Sequence, residues 1–177
     1  MVALAFGDDT AKKAGRLTLN PIVHIDPFGT ILLPAILILS GSGRAFGFAK
    51  PVPVQVNRLR NPRAHALFVS LAGPFTNLLL VALATLLWRT LHPHGDVARV
   101  VLALGLANIV LGMFNLIPIP PLDGSAIVER VMPTSWLEPY LRLRQYSMLI
   151  VLAIFLFRPG LFSTLIDPAL RLWFRFL

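Results

Sequence analysis

Asn115-Leu-Ile-Pro-Ile-Pro-Pro-Leu-Asp-Gly124 places an aspartate directly after three prolines, at the end of a long apolar run. Proline lacks an N–H and blocks helix continuation, so the run must break there. At membrane depth, freed carbonyls are tolerated only inside protein or against a wet cavity. A carboxylate beside such a break is a functional-site candidate in search of a partner, and Asp123 can offer an oxygen to a metal ion. The plainer reading is a helix cap, because Asp ahead of Gly-Ser-Ala-Ile can accept backbone N–H bonds at a helix start. The two readings are compatible.

A second polar group lies in Leu71-Ala-Gly-Pro-Phe-Thr-Asn77, where Gly73-Pro74 relaxes the backbone and Asn77 follows one turn further in. Its amide can donate to a developing oxyanion, or simply to a neighbouring helix. A third candidate is Leu19-Asn-Pro-Ile-Val-His-Ile-Asp-Pro-Phe-Gly-Thr30, in which His24 and Asp26 could bind a metal or orient a ligand. A lone histidine in a loop is more often a surface or satisfied residue. His65, His92 and His94 have no partner at ligand spacing.

The elements that must carry these groups are membrane helices. The chain is 56% apolar with a mean hydropathy of +0.74, against roughly 45–50% apolar residues in soluble domains. Only 14% of residues are charged, and they cluster between apolar runs. The net charge of +8 does not indicate nucleic-acid binding, because the basic residues flank apolar stretches rather than forming one soluble face. With no cysteine, disulfides and thiolate ligands are excluded. Met1–Phe6 is short and lacks a basic start, so no secretory signal is expected there.

The apolar runs predict full spans at 66–88 and 99–117 and a further span at 146–157. They also predict a short or re-entrant segment at 28–40, interrupted by Pro34, and an interfacial helix at 161–177 anchored by Arg171 and Arg175. A small β-like element is expected near 46–56, restricted to an edge by Pro51 and Pro53. Loop 44–65 carries Arg44, Lys50, Arg58, Arg60 and Arg63, and loop 118–145 carries Arg130, Arg142 and Arg144, whereas 90–98 has no Lys or Arg. Both basic loops are therefore expected on the cytoplasmic side, with the two spans between them forming a hairpin. His92 and His94 then fall on the side opposite Asp123. The whole of 1–177 reads as one membrane-embedded domain with an all-α polytopic fold.

Gly-Asp-Asp-Thr-Ala-Lys-Lys-Ala-Gly-Arg-Leu-Thr-Leu-Asn-Pro (7–21), His-Ile-Asp-Pro-Phe-Gly-Thr (24–30), Ala-Gly-Pro-Phe-Thr-Asn (72–77) and the 115–124 stretch resemble, in this order, bacterial and archaeal site-2 protease-family proteins. The resemblance implies a zinc metallopeptidase core in a prokaryotic cell membrane, hydrolysing membrane-anchored protein substrates with metal-activated water. It implies that Asp123 is the third zinc ligand, beside the two histidines of a His-Glu-x-x-His helix, and that Asn77 contacts substrate or the oxyanion. His24 ranks behind them as a candidate ligand.

No His-Glu-x-x-His occurs in the 177 residues, and in the family that helix lies just before the Gly-Asp-Asp-Thr stretch. The expectation is an N-terminally truncated chain that binds zinc poorly and cleaves nothing, since the chemistry needs two imidazoles and a glutamate base on one helical face. The alternative is a non-catalytic membrane protein binding transmembrane partners on the same scaffold. A small transporter or channel subunit is disfavoured, because there is no second discontinuous helix and no paired intramembrane charge.

Overall fold

The computed structural model describes residues 1–18, 20–41 and 47–177, which divide by their contacts into two compact units, 1–66 and 67–177.

The first unit is held together by single ties rather than by a large core. After α1 (Val2–Ala5), Gly7 takes φ +105°, a conformation open to glycine, and this turn carries Asp8 into the interior, where it is only 1% exposed. Asp8 Oδ1 accepts from the Thr10 N–H (3.0 Å) and from the Thr10 hydroxyl, while Oδ2 accepts from the Gln55 N–H (2.7 Å). Asp9 precedes α2 (Thr10–Lys13) and pairs with Lys13 Nζ at 2.7 Å and Arg58 Nη1 at 2.9 Å. The Thr10 hydroxyl bond chiefly holds the Asp8 carboxyl below the usual carboxylate range, and the Lys13 bond does the same for Asp9. The paired acids thus fasten residues 55–58 across nearly fifty residues of chain.

A π-helical turn, Pro27–Leu32, runs into α3 (Leu33–Leu39). Asp26 Oδ1 caps it by accepting from the Gly29 N–H at 2.7 Å. Thirteen residues at 1.5 Å each reach about 20 Å, short of the ~30 Å needed to span a bilayer. Its outer face is apolar, with Phe28, Ile31, Ile36 and Leu39 all exposed. The segment expected at 28–40 is therefore a short apolar helix of non-spanning length.

The β-like element expected near 46–56 is not a strand. Phe46 lies outside the described residues, and 47–55 is chain without regular structure, tied by two backbone bonds, Phe48 N–H to the Gly29 carbonyl (3.0 Å) and Lys50 N–H to the His24 carbonyl (2.9 Å). Pro51 and Pro53 remove two of the N–H groups a ladder would use, and among the described residues no strand forms.

The second unit contains the spans. The first, α4 (Pro62–Leu91), and the second, α5 (Gly95–Asn115), have mean hydropathies of 2.0 and 2.1 and are long enough to cross a membrane. His92 at φ 43° and Gly95 at φ 60° shape the short connection between them. Leu78, Leu86, Val100 and Leu111 are largely exposed along these helices, a surface suited to lipid rather than water. After α6 (Ser125–Val131) comes α7 (Thr134–Phe157), which bends by 63° between Thr134–Arg142 and Arg144–Phe157. The apolar run at 146–157 lies in its second part, which covers only about 21 Å, so α7 has the length of a third span only as a bent whole. The helix at 161–177 is α8 (Pro159–Phe174), and Trp173 near its end packs against Gly105 in the middle of α5. Trp173 is 4% exposed, donates its indole N–H to Thr85 Oγ1 of α4 at 2.8 Å, and forms a core with Ala84, Val101 and Ile109.

Candidate metal centre

The turn that presents Asp123 is built by its prolines and its glycine. Pro118, Pro120 and Pro121 cannot continue α5, and the chain folds back until the Gly124 N–H donates to the Asn115 carbonyl at 2.7 Å. A Cβ on Gly124 would lie 2.2 Å from the Leu116 carbonyl oxygen, so only glycine fits this closure. Leu122 N–H to the Ile119 carbonyl (2.9 Å) and Ala126 N–H to the Asp123 carbonyl (3.1 Å) complete the turn and start α6. Outside the turn, the Tyr140 hydroxyl of α7 donates to the Pro118 carbonyl at 3.2 Å. Sequence reasoning missed Tyr140, because nothing in the spacing of 118 and 140 signals that contact.

This geometry separates the two readings of Asp123. The residue at the α6 cap position is Gly124, and no side chain makes a capping bond there. The Asp123 carboxylate accepts no hydrogen bond and forms no ion pair among the described residues. It is half-buried, and burial alone raises its carboxyl above the usual range. Its Oδ2 rests against Gly73 of α4, where a Cβ would come within 2.9 Å. Gly73 is therefore more than a relaxed point in the backbone: its bare Cα makes the space in which the carboxylate sits.

One turn along α4, Asn77 lies over Gly112 of α5, whose added Cβ would meet Asn77 Cβ at 3.3 Å and Nδ2 at 3.8 Å. The Asn77 amide makes no hydrogen bond among the described residues, so the two helices touch at a glycine without an amide bond between them. Gly73 and Asn77, spaced i and i+4, share one face of α4. The structure thus places two unpartnered polar groups, Asp123 and Asn77, along that face.

His24 and Asp26 belong to the first unit and serve local ties. The His24 ring lies 3.4 Å from the Thr18 carbonyl through Nε2, and its own carbonyl accepts from Lys50. Among the described residues no three His, Cys, Asp or Glu side chains converge into a metal site. Asp123 suits zinc as a single oxygen ligand, while a tetrahedral site needs three protein ligands and an open position, and the described residues do not complete that set.

The arrangement defines a class: an all-α polytopic membrane protein whose second span ends shortly before a carboxylate that has no partner among the described residues. Residues 89–158 match Peptidase family M50. Over 163 residues the chain is 40% identical to "Putative zinc metalloprotease YwhC" of Bacillus subtilis, covering 87% of this chain and 71% of that protein. It is 30% identical over 174 residues to "Putative zinc metalloprotease Rip2" of Mycolicibacterium smegmatis and of Mycobacterium tuberculosis, covering 97% of this chain and 62% of each. No solved structure matches it. The chain belongs to peptidase family M50, the site-2 proteases.

Proposed function

We propose that this chain forms the membrane core of an intramembrane zinc metallopeptidase and contributes the carboxylate ligand, Asp123, to its metal. The observation that carries this reading is the half-buried Asp123 carboxylate, which has neither hydrogen-bond donor nor cation among the described residues and is neither cap nor ion pair. A partly buried carboxylate without a donor is open to a cation, which would supply the missing partner. The names of the relatives, zinc metalloproteases, support the identity of that cation.

When bound, zinc supplies a Lewis acid and a water acidified to a pKa of about 7. The chain's own residues have the other tasks. The proline-broken end of α5 turns the chain so that Asp123 faces α4 at Gly73. Asp123, with Oδ2 lodged against Gly73, would hold the metal through its carboxylate. The Asn77 amide donates to the substrate carbonyl or to the oxyanion that develops on it. Two imidazole ligands and a glutamate base must come from a His-Glu-x-x-His helix, which the 177 residues do not contain. The substrates are membrane-anchored proteins cut in or near the bilayer of a prokaryotic cell membrane, and loops 44–65 and 118–145 face the cytoplasm.

The test joins an upstream His-Glu-x-x-His helix to the chain and measures zinc by metal analysis in detergent. Near-stoichiometric zinc is expected, falling at least tenfold in affinity in Asp123→Ala. Equal zinc content in wild type and Asp123→Ala refutes the ligand assignment. Absence of zinc from both favours a scaffold that binds transmembrane partners without hydrolysis.

A further inference from the structure

We infer that the groove walled by α4, α5 and α8 binds one acyl chain of an anionic phospholipid, with Arg89 paired to the lipid phosphate. The inference is independent of the zinc reading, although Gly112, which lies against Asn77, also lines the groove. The groove encloses about 550 Å³ between apolar walls that include Val81, Leu86, Ile109, Leu116 and Phe176.

Two of its polar side chains are already engaged within the protein. Thr85 Oγ1 accepts from the Trp173 indole and donates to the Val81 carbonyl at 2.9 Å, and Asn108 Nδ2 donates to the Leu104 carbonyl at 2.8 Å. Arg89 is different. It is exposed in the last turn of α4, lines the groove, and makes no hydrogen bond or ion pair among the described residues. Among the described residues, no acidic side chain lines the groove. An apolar slot with a lone cation at one end is complementary to a molecule with an apolar tail and an anionic head.

Dimensions favour a lipid chain over a helix. From Pro74 to Arg89 the groove follows fifteen residues of α4, about 22 Å at 1.5 Å per residue, longer than one leaflet of roughly 15 Å. A chain hanging from a headgroup at Arg89 therefore stays in the groove for its whole depth in that leaflet. An α-helix about 10 Å across occupies roughly 900 Å³ for every two turns, more than the entire groove offers. A zwitterionic lipid fits the walls equally well but brings its own cation to Arg89, so the headgroup charge sets the choice.

The experiment is native mass spectrometry of the full chain, taken from detergent after equilibration with vesicles of equal parts phosphatidylglycerol and phosphatidylcholine. Wild type is expected to retain one lipid, with phosphatidylglycerol favoured by about fivefold. Arg89→Gln should bring the ratio of the two lipids close to one, and Arg89→Lys should keep the preference. Ala82→Trp, which fills the groove from its wall, should reduce retention of both lipids. An unchanged phosphatidylglycerol preference in Arg89→Gln, undiminished lipid in Ala82→Trp, or a second copy of the chain retained in place of lipid would each overturn the proposal.

Discussion

Substituting Gly73 by alanine perturbs Asp123 without touching it chemically. The new methyl carbon would lie 2.9 Å from Asp123 Oδ2 and 4.0 Å from Cγ, whereas ordinary contacts begin at 3.4 Å, so the oxygen must retreat by 3.4 − 2.9 = 0.5 Å. The retreat is inexpensive for folding, because a two-torsion side chain can rotate and, among the described residues, no donor holds the carboxylate back. Alanine is also the better helix former by up to about 1 kcal/mol, so the stability of α4 should hold or rise. For a metal the same displacement is large: zinc–oxygen distances of about 2.0–2.2 Å tolerate only ~0.2 Å. Zinc affinity should fall about 10- to 100-fold, the range typical of lost ligand orientation. The assay is competition with a zinc chelator on the detergent-solubilised protein carrying an upstream His-Glu-x-x-His helix, alongside thermal melting. In an Asp123→Ala background, Gly73→Ala should cause no further loss, because both changes act through one carboxylate. Undiminished zinc affinity in Gly73→Ala, or additive losses in the double variant, would refute the orienting role of this contact.

Three further outcomes are expected. Gly105→Ala would drive a methyl to 2.2 Å from the Trp173 ring, and should cost about 1–3 kcal/mol and expose α8 to limited proteolysis. Thr85→Val, which removes the acceptor for Trp173 together with the hydroxyl's own bond to the Val81 carbonyl, should cost about 0.6 kcal/mol in the same melting assay. Asp8 and Asp9 have lowered carboxyl pKa values in the folded state, so the unfolded chain binds more protons, and their contribution to stability is present above the unfolded value and lost as pH falls. The hydrogen-exchange protection factor of the Gln55 amide, taken relative to the intrinsic rate at each pH, should accordingly fall below about pH 4, with Asp8→Asn removing much of that dependence while weakening protection at neutral pH.

The helical membrane fold was readable because it depends on uninterrupted apolar length, and both long spans are simply long enough. Contacts between distant residues were not readable in the same way. Val52, Val54 and Val56 alternate like a strand, but Pro51 and Pro53 in the same stretch withdraw the donors that pairing requires, and backbone chemistry prevailed over side-chain period. The Asp8 tie to Gln55 joins residues 47 apart, and no local pattern announces it. Gly105 is one glycine among several in the sequence, and only Trp173 lying against it reveals that its missing side chain is a socket.

Asp123 shows where sequence reasoning reaches its limit and why. A cap and a metal ligand make the same demand on a sequence: a carboxylate just before a helix, next to residues that break the previous one. They differ only in what the oxygens touch. The turn moves the cap position one residue onward to Gly124 and swings the carboxylate out against Gly73, so it cannot serve the α6 amides it precedes. The same glycine packing recurs one turn along, where Gly112 makes room for Asn77 without giving its amide a partner. Neither polar group has a side-chain partner among the described residues, and both lie half-buried beside apolar helices. Their joint presence therefore argues for chemistry supplied from outside these residues, with the carboxylate accepting a cation and the amide donating to an incoming carbonyl.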